Sequence, residues 1–323
     1  MNDLAAQDLT GSAQVRCGLE PCPLTSQDEI TAQGWRFLAC RRCGQMRIPE
    51  DCLIHHRVDP DPVAELSKPM RMLFRMRMEW LTRAVPRYDD KQAAWMDAGC
   101  GDGQFLDYLK SIGYKRAVGV EPDAVRAENA RRRGIAVYES PEEVRAATGL
   151  ERFDLITLWH VVEHVPQPAD LLRDYGSLLA PGGALVFQVP NHASAQTRIF
   201  GRWSAFPDYG RHVWFHTPTL VDWTKDALPG YFVERLRDFN FEYEIFGWVD
   251  SVASAVTSQQ NFVHRTLKKE QASPREKLAG AAGAAVLLPI AVAGSALSLA
   301  LGRGSTLTIM ARRPNEPSSA DVG

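Results

Sequence analysis

The residues whose types and spacing best suit chemistry lie in the stretch Trp95–Phe105, WMDAGCGDGQF. A short apolar run predicts a buried strand that ends at Asp97, and a helical period of apolar residues begins at Phe105. Between these two points, three glycines occupy alternate positions: Gly99, Gly101 and Gly103. A strand, a glycine turn and a helix start place backbone N–H groups where they face a ligand. The spacing differs from the dinucleotide fingerprint G-x-G-x-x-G, and no P-loop lysine follows it.

A second acid follows one predicted βα unit later. Residues 117–121, AVGVE, form another short apolar run that ends in Glu121. A carboxylate at the end of that strand suits the two hydroxyls of a ribose, and each charge-assisted hydrogen bond is worth about 1.5–3 kcal/mol. The two stretches together predict a site for a ribose-containing ligand.

A cluster of ionisable residues follows the fourth predicted strand. His160, Glu163 and His164 are spaced i, i+3 and i+4, so on a helical turn they would share one face and converge. This position at the edge of a sheet is where a reacting group would be presented. We interpret His164 as a candidate general base or substrate contact, with a purely structural role as the alternative.

A later stretch, 201–218, is dense in aromatic residues, arginine and histidine. This composition on a loop between a strand and a helix predicts a lid that contacts substrate. His212 and His216 are its candidate proton acceptors. The alternative for His216 is that, with Thr217, it caps a helix beginning at Pro218.

The chain resembles the class I S-adenosylmethionine-dependent methyltransferases in four elements that occur in order. DAGCGDG at 97–103 and VGVEPD at 118–123 resemble motifs I and II of that family, and 153–165 and 179–186 resemble its fourth strand and the turn into its fifth. The alternative is a nucleotide-binding Rossmann domain of another kind. The resemblance implies S-adenosylmethionine as cofactor, with Asp97 and the three glycines shaping its loop and Glu121 holding its ribose.

The resemblance implies further roles, with alternatives. Family members place a residue beside the adenine after the third strand, which here is Glu139; a solvated turn is the alternative. Residues 160–164 are similar to the E-x-x-E-H of quinone-pathway O-methyltransferases, where acids and a histidine are linked to a divalent metal. His160 replaces the first acid here, so this stretch does not by itself imply a catalytic metal. In members without metal the same stretch shapes the cofactor pocket, which makes His160 a candidate cofactor contact.

The elements that must position these residues alternate as strand and helix. Strands are predicted near 93–97, 116–121, 135–138, 153–159, 184–190, 231–236 and 305–311. This pattern predicts an α/β fold, a Rossmann-like seven-stranded methyltransferase sheet with helices on both faces and ligand at the carboxyl ends of the strands. The resemblance implies that the last strand lies antiparallel beside the fifth.

Four cysteines near the N-terminus occur in two pairs: Cys17 with Cys22, and Cys40 with Cys43. Two such pairs about twenty residues apart resemble a zinc ribbon, in which they would hold one structural ion. Unliganded knuckles are the alternative. Cys52 has no partner in sequence, and His55 and His56 are alternative ligands.

The rest of the chain adds a covering helix and an apolar insertion. Residues 70–84 predict a helix over one edge of the cofactor cleft, with membrane contact as the alternative, and 278–301 form an uncharged run with basic flanks. Because Pro289 lies near the middle and a core strand must follow, we predict two half-length helices in a hairpin that contacts one membrane leaflet. The alternative is a helical pair packed on the protein or on a partner subunit. The predicted parts are a zinc-ribbon-like segment (1–59), a linker and helix (60–92), the core (93–245), the insertion (246–302), the last strand (303–313) and a disordered tail (314–323).

Size and charge limit the functions to consider. The 323 residues have a net charge of −2, which gives no general attraction to nucleic acid. The first residues carry no secretory signal, so we expect a cytoplasmic protein at the inner face of the membrane. We predict O-methylation of a saccharide or lipid-linked saccharide. The alternatives are a quinone-like lipid acceptor and a cofactor-binding scaffold without turnover.

Overall fold

The computed structural model describes residues 29–32, 35–40, 43–49, 66–205, 211–236, 240–259, 261–263 and 274–315. Several predictions made from the sequence lie outside these residues, namely those on Cys17, Cys22, Cys52, His55, His56 and the tail after 315.

The strands form two sheets. In chain order they are β1 (Glu29–Ala32), β2 (Trp35–Ala39), β3 (Met46–Arg47), β4 (Trp95–Ala98), β5 (Ala117–Val120), β6 (Val137–Tyr138), β7 (Phe153–Trp159), β8 (Leu179–Pro190), β9 (Trp214–Phe215), β10 (Phe232–Leu236) and β11 (Thr306–Arg312). The larger sheet has the order β10-β11-β8-β7-β4-β5-β6. Its five strands from β8 to β6 are parallel, and β11 lies antiparallel between β8 and β10. The predicted fold class and the place of the last strand are confirmed.

The helices lie on both faces of this sheet. They are α1 (Lys68–Ala84), α2 (Gln104–Ser111), α3 (Ala124–Arg132), α4 (Pro141–Thr148), α5 (Pro168–Ser177), α6 (Ala195–Phe200), α7 (Leu220–Ala227), α8 (Gly247–Thr257) and α9 (Pro274–Ala300). One buried cluster joins the sheet to α5 and α7, and a second joins it to α1, α2 and α3. The carboxyl ends of the parallel strands remain available to a ligand.

Two helix starts differ from the predictions. The first helix begins at Lys68 because the Ser67 side chain accepts a hydrogen bond from the Met70 N–H. The helix predicted to begin at Pro218 begins at Leu220, whose N–H donates to the Thr217 carbonyl. His216 therefore lies before this helix and is not its cap.

The N-terminal strands join the methyltransferase-like part through a shared sheet, in the order β1-β2-β3-β9. Met46 pairs with Phe215 and Arg47 with Trp214. Because β9 belongs to the predicted lid, the cysteine-containing segment packs on the lid as part of one structure.

The apolar run differs most from its prediction. Residues 274–300 form one helix that continues through Pro289, so the predicted hairpin of two half-length helices is wrong. A proline inside a helix removes one hydrogen bond, but packing along α8 compensates here: a Cβ on Gly294 would lie 2.7 Å from the Trp248 ring. Within the described residues, no helix has the length and hydropathy needed to cross a membrane.

Candidate active site

The carboxyl end of β4 opens into the glycine turn. Gly99, Gly101 and Gly103 have φ values of +71°, +56° and +73°, in the left-handed region that glycine enters without strain. A Cβ on Gly99 would lie 2.5 Å from Val161 Cγ2, and one on Gly103 would lie 2.7 Å from Ala130 Cβ. A Cβ on Gly101 would meet nothing within 4 Å, so this side of the turn is open. The turn therefore packs tightly against the fold at two glycines and presents open backbone at the third.

Glu121 lies beside this turn at the end of β5. Its Oε2 accepts from the Gly101 N–H at 2.8 Å, and its Oε1 accepts from the Asp123 N–H at 3.0 Å. The side chain is buried, with 7% exposure. The fold thus fixes a carboxylate next to the glycine turn, where the ribose of a cofactor was predicted to bind.

Asp97 lies beneath the turn and is shielded from solvent. Thr157 Oγ1 donates to its Oδ1 at 2.6 Å, and the Trp95 indole N–H donates to the same Thr157 oxygen at 3.0 Å. Burial raises the pKa of Asp97 to about 7, while the Thr157 hydrogen bond and the charge of Arg77 act in the opposite direction. Asp97 therefore fixes the end of β4, and its protonation state sets the charge beneath the glycine turn.

The histidine cluster begins where β7 ends. His160 has a φ of 57°, unusual for a residue with a side chain, and its N–H donates to the Gln188 carbonyl at 2.9 Å. Its ring stacks on Tyr243 with centroids 4.4 Å apart and an angle of 5°. A 3₁₀ turn over Val162–His164 follows. His160 and Glu163 converge as predicted, with Nδ1 and Oε1 3.4 Å apart, through a left-handed residue and a 3₁₀ turn instead of an α-helical face.

Glu163 is a buried carboxylate at the centre of this cluster, with 1% exposure. Burial alone would raise the pKa of Glu163, but the contact with His160 and the nearby His164 and His212 lower it to about 2. Burial lowers the pKa of His212 to about 3. The cluster therefore combines a carboxyl group, Glu163, and an imidazole, His212, whose pKa values both lie below their usual ranges.

His164 is the half-exposed member of the cluster. Its Nδ1 lies 3.3 Å from the Arg211 carbonyl oxygen, and its ring meets the His212 ring edge to face at 4.7 Å. A carbonyl oxygen only accepts, so this contact favours the tautomer with the proton on Nδ1. The lone pair of Nε2 is then available to accept a proton.

The same side chains could also hold a divalent cation. Ligand atoms of Glu163, His164 and His212 lie within 4.8 Å of one another, which no other trio of such groups achieves among the described residues. Two imidazoles and one carboxylate suit zinc and other first-row transition metals. The donor set fits such an ion although His160 replaces the first acid of the quinone-pathway pattern.

An open cavity lies over the cluster, with about 740 Å³ of space when the solvent at its mouth is included. Its lining comprises His160, Glu163, His164, Ala205, Arg211, His212, Glu242, Tyr243, Phe246, Asp250 and Asn261. Most of these side chains can donate or accept hydrogen bonds. Because Gly99 packs on Val161, between His160 and the 3₁₀ turn, the cavity adjoins the glycine turn.

Other predicted site residues lie elsewhere. His216 Nδ1 is 2.9 Å from Gln45 Oε1, and burial lowers the pKa of His216 to about 4; the residue joins the N-terminal sheet to the lid and does not line the cavity. The Glu139 side chain is exposed, and its N–H donates to Glu143 Oε2 at 3.0 Å.

Cys40 and Cys43 form a turn of the kind expected for half a zinc site. Both are buried, the Gly44 N–H donates to the Cys40 carbonyl at 2.8 Å, and Gly44 has a φ of +68°. The geometry fits a metal knuckle, while Cys17 and Cys22 lie outside the described residues.

Sequence reasoning considered Arg77 only as one of four helix arginines near an anionic substrate or lipid headgroups, and it assigned no role to Tyr243. The Arg77 guanidinium lies 4.4 Å from the centre of the Trp159 ring and 5.3 Å from that of Phe105. Arg77 shares a helix face with buried Phe74 and Leu81, and an arginine in an apolar stripe was the signal that could have revealed it. No local pattern marks Tyr243, because it reaches His160 from a segment 83 positions later in the sequence.

The sheet order, the glycine turn at the first parallel strand and the buried acid at the second define the class I S-adenosylmethionine-dependent methyltransferase fold. Residues 71–227 match a protein family described as "Methyltransferase domain". The chain therefore carries a class I S-adenosylmethionine-dependent methyltransferase domain.

The chain is similar over part of its length to curated relatives and to solved structures. Ubiquinone biosynthesis O-methyltransferase of Xanthomonas axonopodis pv. citri is 30% identical over 135 residues, 40% of this chain and 55% of that protein. The protein of the same name from Albidiferax ferrireducens is 27% identical over 132 residues, 39% of this chain and 51% of that protein. The chain thus spans about half the length of these curated relatives. The plantazolicin methyltransferase BamL, solved with a triazolic desmethylPZN analog and SAH, aligns with a TM-score of 0.46 at 13% identity over 76% of this chain and 86% of that chain.

Proposed function

We propose that the protein transfers the methyl group of S-adenosylmethionine to a hydroxyl oxygen of an acceptor bound in the cavity over the histidine cluster. The observation that carries this proposal is the buried Glu163 carboxyl group among three imidazoles, in a segment that packs on the glycine turn through Val161. Such a cluster suits a reaction in which a hydroxyl must lose a proton as its oxygen forms a new bond.

The residues at the ends of β4 and β5 fit the cofactor. The open side of Gly101 leaves room for it, and Glu121 is already fixed where ribose hydroxyls would donate to it. Arg77 supplies a positive charge near Asp97, and this charge suits the carboxylate of the cofactor's methionine part. When bound, S-adenosylmethionine supplies a methyl group activated by its sulfonium, so the protein needs mainly to position the nucleophile and accept its proton.

His164 is the residue proposed to accept that proton. The contact with the Arg211 carbonyl orients the ring and leaves Nε2 free. The Glu163 carboxylate stabilises the imidazolium that forms, much as a buried acid supports histidine in other enzymes. His212, whose pKa burial lowers to about 3, lines the same cavity and meets the His164 ring.

The lining favours a saccharide or lipid-linked saccharide as the acceptor. Asp250, Asn261, Glu242 and Arg211 add donors and acceptors around the cluster, which suits a molecule with several hydroxyls. A quinone-like phenol is the second candidate. It is favoured by the ubiquinone-pathway names of the relatives and by the Glu163–His164–His212 set, which could hold a divalent ion.

Methyl transfer can be tested directly with radiolabelled cofactor and two acceptor pools: cell glycans and extracted lipids. The proposal predicts label in one pool with the wild type, and transfer to that pool slower by a factor of roughly 10² or more with His164→Ala. Mass spectrometry of cells with and without the gene should show one product that lacks a CH₂ in the mutant. Cofactor binding without transfer to any acceptor would instead support the scaffold alternative.

We also propose that Cys17, Cys22, Cys40 and Cys43 hold one structural zinc ion. The Cys40–Gly44 turn supports this, because its backbone geometry suits a metal knuckle. Protein purified without chelator should contain about one zinc per chain, and Cys40→Ser should release it. Metal analysis that finds none in the wild type would reject the zinc site.

A further inference from the structure

The helix α9 turns its few polar side chains toward the protein and large aliphatic side chains outward. From Leu278 to Gly302 the chain has no charged residue, and its only hydroxyl groups are those of Ser295 and Ser298. Both serines are buried against the protein, with 2% and 1% exposure, and Ser298 Oγ donates to the Gly294 carbonyl. A helix exposed to water normally points its polar residues outward. Here they point inward.

The outer surface of α9 carries large aliphatic side chains instead. Seven of the thirteen exposed large hydrophobic side chains in the described residues lie here: Val286, Leu288, Ile290, Val292, Leu297, Leu299 and Leu301. At about 100° per residue they form two stripes, 286/290/297/301 and 288/292/299, on either side of a ridge of small residues. A single partner helix would cover one stripe. A flat apolar medium would cover both.

Positive charge flanks this surface at both ends. Arg275 and Lys277 lie in the first turn of α9 and Arg303 follows its end, with Glu276 as the single acid from 275 to 303. Cations at the ends of an apolar, uncharged helix suit a layer with an apolar interior and anionic headgroups.

We infer that α9 docks the protein on an anionic lipid bilayer, lying in the plane of the interface with both aliphatic stripes in contact with acyl chains. This orientation agrees with the absence of a membrane-crossing helix among the described residues. It also follows from β11, which returns directly after α9 to pair with β8 and β10.

The inner side of α9 connects this surface to the active site. Gly294 packs on Trp248 of α8, and the Ser305 N–H, just after the helix, donates to Glu244 Oε1 at 2.5 Å. Tyr243 directly precedes Glu244 in the chain, and Phe246 lies two residues before Trp248. Both Tyr243 and Phe246 line the acceptor cavity. A docked α9 would hold the cavity close to the bilayer surface. Delivery of a lipid-borne acceptor rests on the proposed function, whereas the membrane contact itself does not.

Vesicle flotation of the full-length protein tests the inference. The vesicles are phosphatidylcholine alone or mixed with phosphatidylglycerol. The variants are the double change Ile290→Gln with Leu297→Gln, the charge variant Arg303→Gln, and Val125→Gln as a matched exposed aliphatic far along the chain on α3. S-adenosylhomocysteine affinity, measured on each variant, reports on folding and on the cofactor site separately from membrane binding.

We expect the wild type and Val125→Gln to float with the mixed vesicles. The double variant should lose roughly tenfold or more of this binding with unchanged cofactor affinity, because two buried aliphatic contacts are removed. Arg303→Gln should weaken it less, and added salt should abolish that difference. If the wild type binds neither kind of vesicle, the inference is overturned. A wild type that forms dimers in solution, which the double variant breaks, also overturns it by assigning the surface to a second copy.

Discussion

The cofactor side and the acceptor side of the site are built in different ways. The cofactor side comprises β4, its glycine turn and Glu121, which lie within 95–121 and meet through backbone hydrogen bonds. The acceptor side draws on 160–164, 211–212 and 242–250, which meet only in the folded chain. The comparison indicates that cofactor binding depends on backbone shape, whereas the proposed proton transfer depends on side chains held by distant packing. Changes in the two regions should therefore have separable effects.

The largest expected effect separates turnover from binding. His164→Ala should lower kcat by a factor of roughly 10² or more, because the proposed proton acceptor is removed. Cofactor affinity should stay close to that of the wild type, since the variant leaves Glu121 and the glycine turn intact. Steady-state kinetics with titration calorimetry measures both. An equal loss of cofactor binding would show that His164 supports the cofactor pocket.

A cofactor-side change should do the reverse. Glu121→Gln should weaken S-adenosylmethionine binding by about 1.5–3 kcal/mol, tenfold or more, because the ribose loses a charged acceptor. Glu142→Gln, at an exposed position on α4, is the matched control. Calorimetry that gives the same affinity for both variants would contradict the assignment of Glu121.

The cofactor side could be predicted from the sequence more completely than the acceptor side, and the reason is physical. The glycine turn and Glu121 are local, so their spacing alone indicates the ligand. Tyr243 and Arg211 reach the cluster only through tertiary packing, and no short pattern marks them. The prediction of a hairpin at Pro289 was wrong for the same reason. Proline favours a helix break locally, but α9 packs on α8 and stays one helix across Pro289.

The contact between the two sides can be tested by paired glycine substitutions. Gly99→Ala adds a Cβ 2.5 Å from Val161 Cγ2 at a φ of +71°, whereas Gly101→Ala adds one in open space at +56°. Both substitutions should lower the free energy of unfolding by about 1–2 kcal/mol because alanine is strained in a left-handed backbone. Gly99→Ala should lower it by about 1–3 kcal/mol more because its Cβ overlaps Val161. Denaturant unfolding compares them. Equal losses would show that the turn does not pack on the acceptor side as described.

The smallest effect is a dependence of stability on pH. Burial lowers the pKa of His212 to about 3 and that of His216 to about 4, from the usual 6.5, so the unfolded chain takes up these protons first as pH falls. Their contribution to the free energy of unfolding is fully present above pH 6.5. It is lost as the pH falls from 6.5 to the pKa values of the folded state, by up to about 1.4 kcal/mol per pH unit for each group. Asp97, whose pKa rises to about 7, acts in the opposite direction: its contribution is present below pH 3.8 and is lost by pH 7.

Unfolding free energies at pH 7 and pH 5 measure this slope. His216→Gln should flatten it, because one buried imidazole no longer titrates while the contact to Gln45 can be kept. An unchanged slope would mean that His216 is not held neutral by burial.

The central claim is that cofactor binding and proton acceptance are separate tasks of two regions on one fold. Single-turnover methyl transfer by Glu121→Gln and His164→Ala, each at limiting and at saturating S-adenosylmethionine, tests it most directly. Saturating cofactor should restore Glu121→Gln to near the wild-type rate and should leave His164→Ala slower by a factor of roughly 10². Full recovery of His164→Ala at saturating cofactor would contradict the account, because the histidine cluster would then serve only to bind the cofactor.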